Sequence, residues 1–170
     1  MTIHRNRLTA FAGLALAAML AGCATQPSPL QGEYLPVTPQ QASAGDHTGA
    51  MVRWGGQVIE VEPRADRTCF TMLSSHLDGQ GRPYGAQDGS SGRFLACRAG
   101  FYDPAVFTEE REVTFTGRIA GHEDARIGEY AYRMPRIDAD VVYLWPERGQ
   151  TQVIHHPHPY YWHPYGIWWW

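Results

Sequence analysis

Between residues 113 and 120 the chain alternates strictly, with Val113, Phe115, Gly117 and Ile119 on one parity and Thr114, Thr116, Arg118 and Ala120 on the other. A period of two is the repeat of an extended strand with one buried face, and it argues against a helix there. The same pattern returns in Ile137, Ala139, Val141, Tyr143 and Trp145. Short runs rich in Val, Ile, Phe, Tyr and Thr, separated by Gly, Pro and Asp clusters, predict five strands: Met51 to Glu62, Thr68 to Leu77, Gly92 to Arg98, Glu112 to Ala120, and Ile137 to Trp145. The fold class is therefore all-β.

Gly55-Gly56 interrupt the first run, and glycine inside a strand marks a bulge or a sharp bend of the kind that closing a small barrel requires. Five short strands with a bent first strand suggest a small OB-like barrel, partly open, over residues 46–150. Between the third and fourth strands, GFYDPAVFTEERE offers Asp103 as an N-cap and Pro104 at the first helical position, which predicts a short helix. An OB barrel carries its plug at that point in the chain. A domain of about 100 residues buries enough surface to fold alone, though marginally.

The chain's start constrains its compartment. MTIHRNRLTAFAGLALAAMLAGC has Arg5 and Arg7, then an uninterrupted apolar run, then small residues before a cysteine, the pattern of an export signal over residues 1–22. The apolar stretch from Leu8 to Leu20 is short of the roughly 20 residues that span a bilayer. Leu20-Ala21-Gly22-Cys23 looks like a bacterial lipobox, which implies acylation of the Cys23 thiol and cleavage before it. Several acyl chains on one residue anchor stably where a single chain does not. Ala24, rather than an aspartate, follows the cysteine and by the same resemblance favours sorting to the outer membrane. The expected partners are outer-membrane lipid and the lipoprotein processing and sorting machinery.

Processing removes two of the 14 basic residues and none of the 17 acidic ones, leaving 12 against 17, a formal charge of −5 with His neutral. All the basic residues are arginine. Nucleic acid is not an expected partner of a net acidic chain without a basic run. Residues 24–45, ATQPSPLQGEYLPVTPQQASAG, are rich in Pro, Gln, Ser and Thr and read as a flexible tether following the lipidated Cys23. Cys69 and Cys97 both fall in predicted strands. In an oxidising compartment they form a disulfide if those strands adjoin in register, and otherwise remain buried thiols.

The tail, residues 151–170, ends in HHPHPYYWHPYGIWWW. His155, His156, His158 and His163 offer imidazoles to zinc, copper or nickel, but their spacing matches no closed zinc motif. Trp162, Trp168, Trp169 and Trp170 suit the headgroup level of a bilayer. Some of these rings alternatively cover the barrel's open edge.

Four other features bear on chemistry. Ser74-Ser75-His76 sets hydroxyls beside an imidazole, but neighbours in a strand point to opposite faces, so they are not a nucleophile and its base. Asp138 and Asp140 share a face, which a solvated strand explains without a cation. Glu123 and Asp124 are assigned to a turn. Trp54 is either core or a stacking platform for a glycan. None of these makes an enzyme.

VRWGGQVIEV (52–61), GRP (81–83), SGRFLA (91–96), GFYDP (100–104), IGEYAYRMP (127–135) and LW (144–145), in this order, resemble the Slp family of starvation-inducible outer-membrane lipoproteins. The resemblance implies a lipid-anchored envelope protein with a structural or protective role in starvation or stationary-phase stress. It implies no catalytic residue and no cofactor beyond the lipid on Cys23. Tyr102, where a leucine is expected, and the two cysteines depart from the pattern. The rival expectation is a periplasmic module that binds metal or glycan through the tail or the barrel face, or docks an envelope protein.

Overall fold

The structure is a computed structural model that describes residues 25–85 and 89–149. Six strands run β1 (Met51–Pro63), β2 (Arg67–Leu77), β3 (Pro83–Tyr84), β4 (Arg93–Ala99), β5 (Glu112–Ile127) and β6 (Tyr130–Leu144). The sheet order β1-β5-β6-β4-β2-β3 is closed by an additional β1–β2 pairing. With the two-residue β3 set aside, the strands form a closed five-stranded barrel, antiparallel everywhere except where β4 meets β6. This is the connectivity of an OB barrel.

Closure happens at the glycine pair. Gly55, Gly56 and Gln57 pair with β5 on one side and with β2 on the other, so β1 serves both edges. A methyl group on Gly56 would overlap the Leu73 carbonyl, and one on Gly55 would lie 2.7 Å from the Thr114 hydroxyl. Only glycine lets three strands approach this closely.

The interior is filled by the inward parity of each strand. Val52 and Trp54 of β1, Phe70 and Met72 of β2, Phe94 of β4, Val113 and Phe115 of β5 and Ile137 of β6 form one cluster. Edge-on contacts, such as Trp54 with Phe94 at 5.3 Å and Phe94 with Phe115 at 6.0 Å, suit the quadrupoles of the rings.

The predicted helix after Asp103 does not form. The Asp103 carbonyl accepts from the amides of Val106 and Phe107, and its carboxylate caps the Ala105 amide, which completes one turn. One turn is enough to bring Phe107 under the barrel against Phe70 at 5.2 Å and Tyr102 at 5.6 Å. The plug is thus two aromatic side chains, and Tyr102 supplies one of them.

Nor are residues 25–45 a free tether. Ser28–Leu30 form a 3-10 turn with Leu30 buried, and Pro39–Ala44 form a short helix, α1, with Pro39 and Ala42 buried. Thr38 and Gln41 make a reciprocal capping box, the Thr38 hydroxyl accepting from the Gln41 amide and the Gln41 side chain from the Thr38 amide. The segment is fastened to the barrel by Leu35 N–H to Met51 O, Gln40 N–H to Ser91 O, and the Trp54 indole N–H to Val37 O at 2.7 Å. Composition suggested disorder, but these few apolar and capping residues suffice because the barrel offers them partners.

The turn assigned to Glu123 and Asp124 also lies elsewhere. Both residues are within β5, and the hairpin turns at Gly128-Glu129, where Gly128 has φ +61° as a type II′ turn needs. Gly121 instead marks a bulge, with the register slipping between Ile119 and Gly121. Beyond it β5 and β6 continue as a ribbon that leaves the barrel and lies over β2 and β4.

Candidate functional site

The N-terminal segment ends against a loop on the barrel's outer surface. Asp78 organises that loop, its carboxylate accepting from the amides of Gln80 and Arg82 and its carbonyl from Gly81 N–H. Gly81 has φ +85°, and a methyl group there would lie 3.0 Å from the Gln26 amide nitrogen and 3.4 Å from Leu30. Arg53 ties the segment further, donating to the Leu30 carbonyl at 3.0 Å with its guanidinium 5.2 Å above the Tyr34 ring.

The C-terminal end of the barrel reaches the same loop. The Trp145 indole donates to the Thr114 hydroxyl at 2.9 Å, and that hydroxyl donates to Gly81 O at 2.7 Å. Arg82 donates to Glu112 at 2.7 Å and to Pro146 O at 2.7 Å. Arg148 donates to the other Glu112 oxygen at 3.0 Å and to Pro83 O at 2.7 Å. Glu112 therefore bridges two arginines, one on each side of the junction, in a setting where Glu112 and Arg82 are each about four-fifths buried. Gln26 and Pro146 both lie against Gly81–Pro83.

A second feature lies under the β5–β6 ribbon. Cys69 of β2 faces Cys97 of β4 directly in register, and the two are joined by a disulfide. Both are buried with Leu95 and Met134, beneath Ala125 and Tyr132. The Tyr132 hydroxyl accepts the Arg93 amide at 3.0 Å. Beside the bridge, Asp66 and Arg67 form a two-pronged ion pair that holds the Asp66 carboxyl below its ordinary pKa and raises that of Arg67.

Of the other residues singled out in the sequence, Trp54 is only 4% exposed, so it is core and offers no stacking face. Asp138 and Asp140 are exposed on one face of β6. Ser74 and Ser75 are both buried, on opposite faces of β2, while His76 is exposed near the strand's end, so the three are not gathered on one face. Among the described residues no three His, Cys, Asp or Glu side chains are grouped to hold a metal. Cys23, the histidines 155, 156, 158 and 163, and the tryptophans 162, 168, 169 and 170 lie outside the described residues. The ordering of residues 27–45 had a readable signal, the T-x-x-Q of Thr38 to Gln41 with Pro39 at the first helical position. The Glu112 bridge had none, since its members are 30 and 36 positions apart.

The profile of the outer membrane lipoprotein Slp family matches residues 20–170, which takes in both termini of the barrel and the Leu20–Cys23 box. The chain belongs to the Slp family. A protein of uncharacterised function from Haemophilus influenzae is 29% identical over 133 residues, covering 74% of this chain and 70% of its own length. Among solved structures, an OBody, AM3L09, bound to hen egg-white lysozyme aligns with TM-score 0.39 and 9% identity, over 69% of this chain and all of its own. The segment fastened by Trp54 is thus the one that joins residues 20–23 of this Slp chain to its barrel.

Proposed function

We propose that this Slp lipoprotein is held to the outer membrane by lipid on Cys23 with its barrel pressed close to the bilayer, serving as a structural or protective envelope component rather than an enzyme. The observation that carries this is the placement of Gln26 against Gly81. Cys23 and Gln26 are three Cα-to-Cα steps apart, and an extended chain spans at most ~3.6 Å per step, so the leash is no longer than about 11 Å. The polar headgroup region on one side of a bilayer is about 5–8 Å deep. A barrel on that leash rests at the headgroups.

Arg148, bonded to the Pro83 carbonyl, fixes the chain at the same loop shortly before residues 151–170. A segment that carries Trp162 and Trp168 to Trp170 is then tethered near the lipid, where a high effective concentration turns a weak interfacial preference into contact. This arrangement favours bilayer contact by the tryptophans over metal capture by His155, His156, His158 and His163. A role in starvation or stationary-phase stress accords with the family resemblance, and lipoprotein processing and sorting factors are the partners that lipidation requires.

Labelling cells with radioactive palmitate tests the anchor. The wild-type chain should take up label and fractionate with outer membranes, whereas Cys23→Ser should be unlabelled. Labelling of Cys23→Ser at the wild-type level would remove the anchor from this account.

A further inference from the structure

A slot of about 320 Å³ opens between the N-terminal segment and the end of β2, with Pro36, Val37 and Pro39 on one wall and Leu77 opposite. Its polar lining is Arg53, Ser75, His76 and Ser91, together with Thr38 and Ser74, and no carboxylate is among its lining residues. In a chain of net charge −3 this is an unusual local balance.

Two of its groups are left without partners. The Ser75 hydroxyl is buried, the residue being 5% exposed, and makes no hydrogen bond; the Arg53 Nε is buried and makes none either. Gly55 pairs with Ser75, so Arg53 and Ser75 lie on the same outer face of the β1–β2 pair, two residues apart along it. The remaining guanidinium donates only to the neutral Leu30 carbonyl, and Arg53 has no carboxylate partner among the described residues. Leaving a buried donor unmade carries a desolvation penalty, and one negatively charged acceptor that meets both the Ser75 hydroxyl and the Arg53 Nε relieves both.

We propose that this slot binds the carboxylate of a small amphipathic acid, the carboxylate accepting from Arg53 Nε and Ser75 Oγ while an apolar body lies against Val37, Pro39 and Leu77. The volume suits a ligand of one ring or two amino-acid residues. A free organic acid and the C-terminus of a short peptide share this chemistry. A single water shared between the two donors is the competing occupant.

The test uses the full acylated protein in detergent micelles, followed by amide and indole resonances during titration with benzoate, benzamide, acetyl-alanyl-alanine and its C-terminal amide. Saturable shifts at Ser75, His76, Ser91 and the Trp54 indole are expected with the acids and not with the amides. Tighter binding of the peptide acid identifies a peptide C-terminus, and tighter binding of benzoate identifies a free acid. Ser75→Ala should keep the fold, because it deletes an unpartnered hydroxyl, and should weaken acid binding about tenfold. Arg53→Lys retains the charge but removes Nε and should weaken it comparably, which covers the case where Ser75→Ala perturbs the strand. No saturable shift with either acid, or equal shifts with acids and amides, would show that water is the occupant and overturn the proposal.

Discussion

The indole of Trp54 donates to the Val37 carbonyl at 2.7 Å, so a side chain that fills the barrel also fixes the segment that precedes it in the chain. Trp54→Phe keeps an aromatic ring in the core, though a smaller one, and leaves the Val37 carbonyl without that donor. The expected cost is about 1–2 kcal/mol. The loss should be local: limited proteolysis should cut between residues 31 and 45 faster than in the wild type while the barrel fragment stays intact. Equal cleavage of both regions would show that the segment and barrel unfold together.

Gly56→Ala tests barrel closure. Its new methyl group meets the Leu73 carbonyl, a backbone atom that cannot swing aside, so the β1–β2 pairing must open. Overpacking of this kind costs roughly 1–3 kcal/mol, and here the upper end is expected because two strand pairings share the site. Chemical denaturation should show a lower midpoint. Gly79→Ala, whose methyl meets open space, is the matched control.

The disulfide closes a loop with a sequence separation of 28. Replacing Cys69 and Cys97 together by alanine should lower stability by about 2–4 kcal/mol. Because the bridge lies under Met134, Ala125 and Tyr132, a reductant should reach it slowly in the folded protein. Reduction as fast as in an unfolded control would mean that the β5–β6 ribbon does not cover it.

Glu112→Gln leaves Arg82 and Arg148 without their shared carboxylate. Arg82 is largely buried and Arg148 mostly exposed, so the expected loss is about 1–3 kcal/mol, less than for a fully buried pair. The variant should also loosen the exit of the C-terminal tail, seen as faster amide exchange at Arg148 and Trp145. Unchanged exchange there would separate the bridge from the tail.

Much of this architecture was readable because alternating residues of each strand fill the core, although in β6 the register slips after Ala139 and Val142 and Leu144, not Val141, Tyr143 and Trp145, continue the inward face. Val113, Phe115 and Ile119 point inward as the alternation predicts, and the two glycines are where β1 pairs on both sides, while the irregularity in β1 lies further on, between Val58 and Glu60. The outer parity misled. Thr114 and Thr116 look like a solvated face, yet both are buried, Thr114 beneath Trp145 and the Gly81 loop. A covering layer assembled from Pro-, Gln- and Gly-rich segments has no periodicity to read. Gly121 looked like a turn because glycine serves a bulge as readily as a turn, and only pairing with Arg136 distinguishes them. The Asp103-Pro104 start signal was real, but Phe107's place under Phe70 set the length of what followed. The slot at Ser75 and the meeting of Gln26 with Gly81 depend on residues far apart in the chain, which no local pattern encodes.

The central claim is that the Gly81 flank faces the lipid while the plug end stands away from it. Gly79 is exposed on that flank with room for a side chain, and Phe101 is 73% exposed near the other end of β2, on the order of 30 Å of strand away. A fluorophore on Gly79→Cys or Phe101→Cys, in acylated protein reconstituted into phosphatidylethanolamine vesicles, reports depth through quenchers attached to the headgroups. Strong quenching at position 79 and little at 101 is the predicted result. Equal quenching at both positions, or stronger quenching at 101, would contradict the account.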